Sequence, residues 1–97
     1  MKKMSDFITG PDSWCQCNNF QNADGISTAP DPDYACKFCL HGAFYMSDLT
    51  EEDWRRIEEI VHKLHPGKYD NAIQFNDHPD TTYEMVKEVI DYYENKP

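Results

Sequence analysis

A chain of 97 residues has room for one domain around one core, and not for a second domain or a deep multi-substrate cleft. Nine Lys plus Arg against eighteen Asp plus Glu give a formal net charge of −9, which repels phosphate backbones, argues against direct nucleic-acid binding and favours a basic protein partner. Met1-Lys2-Lys3 starts like a signal peptide, but no apolar stretch follows it and no segment is long enough to span a membrane, so a cytoplasmic protein is expected.

Residues 1–13 read as a short lead broken at Gly10-Pro11, and 14–97 as the single globular domain. Asp24-Gly25 offers the positive φ of a tight turn, so 14–21 and 26–29 are expected to pair as a small ribbon. The first helix is expected over 33–45. Pro32 suits its first turn, Asp31 or Asp33 suits its positive end, and Ala35, Phe38, Cys39, Gly42 and Ala43 share one side.

A second helix is expected over 50–64. Thr50 with Asp53 resembles a capping box, Trp54, Ile57, Ile60, Val61 and Leu64 form an apolar stripe, and Pro66-Gly67 ends it. Residues 72–75 are apolar and fit strand or helix equally, and Asn76-Asp77-His78-Pro79 reads as a turn. A last helix is expected from Thr81, with Glu84 at capping-box spacing and Met85, Val86, Val89, Ile90 and Tyr93 facing inward. The fold class is mainly α, about three principal helices with a small β-hairpin or irregular N-terminal segment. Rings supply much of the core, because large aliphatic residues are few.

Trp14-Cys15-Gln16, the Asp24-Gly25 turn, Asp31-Pro32, Phe38-Cys39-x-x-Gly42-Ala43 and Phe75-Asn76-Asp77-x-Pro79 with Thr82 come in an order that resembles the family called domain of unknown function 6197. Its members look like small bacterial and phage proteins, with the pattern Trp-x-Gln-Gly, Phe/Trp-Cys-x-x-Gly-Ala and Trp-Asn-Asp-x-Pro-Gly-x-Thr. This chain departs from the pattern with Cys17 at the Gly, Phe75 at the Trp and a shorter N-terminal helix. The resemblance implies a mainly helical domain with an intracellular life, in the host cytoplasm if phage-encoded. It implies no activity.

Cys15-x-Cys17 and Cys36-x-x-Cys39 are two close pairs that could supply four soft ligands to one structural zinc ion. On an intact helix over 33–45, Cys36 and Cys39 lie within reach of one ion, while His41 points away. The competing reading makes Cys39 a small core residue and the other three incidental thiols. A reactive Cys39 would need a stabilised thiolate and an orienting partner, for which the sequence shows nothing. Glu59-x-x-His62 copies half of a di-iron motif, but it falls off the apolar stripe and reads as a solvated face. His65 is expected beside Trp54 at the end of its helix. Asn76, Asp77 and His78 read as turn formers, and Glu84, Glu88, Asp91 and Glu94 as an acidic ridge open to a partner.

The favoured reading is a non-enzymatic accessory or regulatory protein, phage-associated, that binds another protein with a basic surface. One specific form is an inhibitor covering the nucleic-acid-binding face of a host defence enzyme. The alternative is a small zinc-stabilised domain using all four cysteines, and a cysteine-dependent enzyme ranks last.

Overall fold

The structure, a computed structural model, describes residues 3–28 and 35–95. Among the described residues, four α-helices and one two-stranded antiparallel ribbon make a mainly α fold with a small β part. Among the described residues, no helix is long and apolar enough to cross a membrane.

The longest helices form where local signals are strongest. Helix α2 (Glu51–Leu64) is capped by Thr50, whose hydroxyl accepts from Asp53 N–H while Asp53 accepts from Thr50 N–H at 2.9 Å. The expected capping box is therefore present, and it satisfies two donors that the first turn would otherwise leave orphaned. Ile57, Ile60 and Val61 are buried. They meet Val86, Val89 and Ile90, the inward face of helix α4 (Tyr83–Asn95). Tyr93 reaches across this seam to donate to Asp53 Oδ1 at 2.7 Å, tying the last turn of one helix to the cap of the other. The start of α4 differs from expectation by one residue. Thr82, not Thr81, accepts from Met85 N–H at 3.4 Å, while Thr81 is buried with its hydroxyl near that of Tyr69.

The first helix is shorter than periodicity predicts. The expected start at 33, with its Asp31, Pro32 and Asp33 signals, lies outside the described residues. Within them, Lys37–Phe38 is not helical but forms strand β2, paired with β1 (Phe20–Gln21) in the register Phe20 opposite Phe38. Cys36 N–H also donates to Gln21 O at 2.8 Å. Ladder bonds and ring packing of Phe38 on Phe20 and Phe7 hold this stretch extended, so helix α1 (Leu40–Met46) begins only after Cys39.

The expected ribbon partner, 26–29, makes a smaller contribution. Thr28 N–H donates to Phe20 O and Gln21 bridges Ser27, closing a turn at Gly25. There φ is +80°, a conformation that costs glycine nothing. Asn22 Oδ1 accepts from both Asp24 and Ile26 N–H in the same turn.

The segment left open between strand and helix is a short helix, α3 (Ala72–Asp77). Asn71 caps it by accepting from Gln74 N–H at 2.8 Å, and Ala72, Phe75 and Asn76 are buried. Asn76 and Asp77 are thus its last helical residues, and the turn follows them. The N-terminal lead is likewise no appendage: Met4 and Ile8 are buried in the main core, where a 3-10 turn (Met4–Asp6) packs on α1 and α4.

Candidate functional site

The densest polar structure surrounds Asn76, which is 1% exposed. Its side chain makes four hydrogen bonds: Oδ1 accepts from Trp14 Nε1 (2.7 Å) and Leu40 N–H (3.0 Å), and Nδ2 donates to Cys15 O (3.1 Å) and Asp77 Oδ1 (2.9 Å). That uses the full capacity of an amide, two donors and two acceptor positions. Gln16 Nε2 donates to the carbonyls of Asn76 (2.9 Å) and His78 (2.8 Å), and Asp77 Oδ1 accepts from Cys17 N–H (2.8 Å). Residues 14–17 are thereby clasped to the end of α3, and through Leu40 to the start of α1.

The second part of the clasp is built on Cys39. Its Sγ accepts from Gly42 N–H at 3.2 Å, capping α1, and donates to Asn19 Oδ1 at 3.2 Å. Gly42 lies directly under the Asn19 carbonyl, where an added Cβ would be 2.1 Å from the oxygen. The small residue is there because two backbones touch.

This arrangement accounts for Cys17. Its φ is +69°, a region that costs an ordinary side chain about 1–2 kcal/mol and glycine nothing. The pattern that the sequence resembles has glycine here, and a positive φ is a reason for it. Cys17→Gly is expected to stabilise the fold by about 0.5–1 kcal/mol, after allowance for the greater freedom of glycine in the unfolded chain. Chemical denaturation of the two proteins checks it.

The four cysteines are not gathered into one site. Cys15 and Cys39 are buried, Cys17 and Cys36 exposed, and among the described residues no three His, Cys, Asp or Glu side chains are placed to hold a metal ion. Cys36 is not on a helix with Cys39, because β2 separates it from α1, so the expected spacing on one helical face does not arise. Cys15 Sγ donates to Asn18 O at 3.1 Å, and Cys39 Sγ is the α1 cap. The Cys15 thiol is pushed up to about 12, by burial first and by nearby Cys39 second. Burial also raises Cys39, against the opposing pull of the Gly42 amide.

Two thiols, Cys17 and Cys36, are therefore expected to react quickly with alkylating reagents in the native protein and two slowly, counted by mass spectrometry. Tyr93 is pushed up to about 12 as well, by burial and then by its bond to Asp53. In the unfolded chain these groups ionise at their ordinary, lower values. Their contribution to stability is thus complete below the ordinary thiol range and is lost as pH rises from there toward 12.

The other candidates are dispersed. Glu59 and His62 are exposed on α2. His65 is not the neighbour of Trp54 that the helical wheel predicts. It stacks on Phe75 (5.3 Å) and meets the edge of Tyr69, and the histidine against Trp54 is His41 of α1 (5.1 Å). His78 packs on Tyr69 (5.3 Å) and accepts Asp80 N–H at Nδ1. On α4, Asp91 pairs with Lys87 at 2.7 Å and Glu94 accepts from Ser5 N–H at 3.2 Å. Only Glu84 and Glu88 of the four acidic candidates stand exposed, beside a groove of about 440 Å³ that Lys87, Asp91 and Tyr92 also line.

Sequence reasoning assigned Asn76 to a turn and overlooked its reach to Trp14, Cys15 and Leu40. The signal present was the co-occurrence of Trp14, Gln16 and Asn76-Asp77 in the family pattern, which says nothing about contact by itself. Together the fold and the clasp define a small mainly α domain whose N-terminal segment is locked against a short helix by one buried asparagine. A family model described as a family of unknown function (DUF6197) matches residues 1–95, and the chain belongs to that family. No curated protein and no solved structure matches it.

Proposed function

We propose that the protein is a non-enzymatic regulatory module that binds a basic protein, with the outer face of α4 as its contact surface. The carrying observation is how the polar residues divide. Trp14, Gln16, Asn76, Asp77 and Cys39 are each engaged in holding the fold, whereas Glu84 and Glu88 project at an open groove on a chain of net charge −9. A carboxylate face of this kind accelerates encounter with a cationic partner and makes binding depend on salt. If phage-encoded, such a module would act in the host cytoplasm, as an inhibitor covering the basic, nucleic-acid-binding surface of a host defence enzyme.

The test is capture from a bacterial cell extract by immobilised wild type and by Glu84→Lys/Glu88→Lys. A basic protein retained by wild type, released by high salt and absent from the variant supports the reading. Equal retention by both, or binding indifferent to ionic strength, overturns it.

A further inference from the structure

A second surface, between α1 and α2, has chemistry that the clasp and the α4 face do not use. His41 and Phe44, one turn apart on α1, pack against Trp54 of α2. Phe44 lies 4.9 Å from the indole and His41 5.1 Å, and the two smaller rings are 5.8 Å apart. All three are half-buried, so they floor a cleft of about 370 Å³ and are not sealed in the core. Glu51, Arg55 and Glu58 complete its lining. Glu51 and Glu58 stand about one turn either side of Trp54 on the same helical stripe. The Arg55 guanidinium pairs with Glu52 at 3.8 Å. One Glu58 oxygen accepts from Ala72 N–H at 3.2 Å, which ties that carboxylate to the start of α3.

An aromatic floor with two carboxylates in the same lining is complementary to a cation with a flat, weakly hydrated surface. Indole is the strongest aromatic partner for such a cation, and guanidinium both stacks on rings and forks to carboxylates, which a lysine ammonium does less well. We infer that this cleft takes the arginine side chain of a protein partner, with the guanidinium over Trp54 between Glu51 and Glu58. The inference shares with the proposed function only the sign of the partner's charge, and it does not use α4.

The experiment is titration of the isotope-labelled full chain with acetyl-Gly-Gly-Arg-Gly-Gly-amide, following the Trp54 indole N–H by NMR. Matched peptides carry lysine or citrulline, the uncharged isostere of arginine, in place of the arginine. Saturable shifts at Trp54 with a Kd on the order of 1 mM, weaker for lysine and absent for citrulline, are expected. Glu51→Gln/Glu58→Gln removes both charges yet keeps an acceptor for Ala72 N–H, and should weaken binding at least about fivefold with the fold intact by circular dichroism. Trp54→Leu should abolish the accompanying saturable shifts of the Phe44 and Glu58 backbone amides.

Equal shifts from the citrulline peptide, no saturable shift, or undiminished binding by the Gln variant would overturn the inference. Glu84→Lys/Glu88→Lys leaves the cleft lining untouched, so loss of captured partner in that variant and loss of the arginine response are separate failures.

Discussion

Asn76→Ala is expected to destabilise the protein by roughly 3–5 kcal/mol, enough to remove most of the stability of a domain this size. The truncation leaves Trp14 Nε1 and Leu40 N–H without their shared acceptor and Cys15 O without its donor, beneath a side chain that is 1% exposed. Each buried group stranded in this way costs about 1–3 kcal/mol, and the vacated volume adds to the loss. Asn76→Asp tests the same geometry from the other side. It retains an acceptor for Trp14 and Leu40 but removes the donor to Cys15 O and sets a second carboxylate against Asp77, which now accepts from Nδ2 at 2.9 Å. Both variants should fall well below wild type in urea denaturation. A loss under about 1 kcal/mol for Asn76→Ala would mean that the clasp does not hold the N-terminal segment.

Gly42→Ala should also be strongly destabilising, by roughly 2–4 kcal/mol, although the same change in an exposed helix stabilises by about 1 kcal/mol. The sign reverses because the new methyl would lie 2.1 Å from Asn19 O and 3.0 Å from the carbonyl carbon, both backbone atoms that cannot rotate aside. Moving that segment back also breaks the Cys39 N–H bond to Asn19 O and the Cys39 Sγ bond to Asn19 Oδ1. The thermal midpoint should drop by roughly 8–30 °C, at about 4–8 °C per kcal/mol for a domain of this length. A rise in midpoint would show that the two backbones are further apart than the structure places them.

What the amino-acid sequence determined by itself is the part whose causes are local. Helix α2 was legible because Thr50, Asp53 and the stripe from Trp54 to Leu64 act within a few residues of one another, and the inward face of α4 was legible for the same reason. The net charge of −9 needs no structure at all. Tertiary structure decided the rest. Lys37–Phe38 became a strand, not the first helix, because Phe20–Gln21 satisfies its backbone from across the chain, and pairing at that separation leaves no local trace. Residues Ala72–Asp77 are too few to display a helical period, so the choice between strand and helix fell to the Asn71 cap and to the burial of Phe75 and Asn76. The cysteines could be paired by spacing on paper. Cys36, however, ends on an exposed extended segment and Cys39 beneath the start of α1, because a hydrogen-bonded ribbon places them and not the period of a helix. Asn76 shows the division most clearly: its type and neighbours allow a turn, and only the arrival of Trp14, Cys15 and Leu40 from distant parts of the chain makes it the buried centre of the fold.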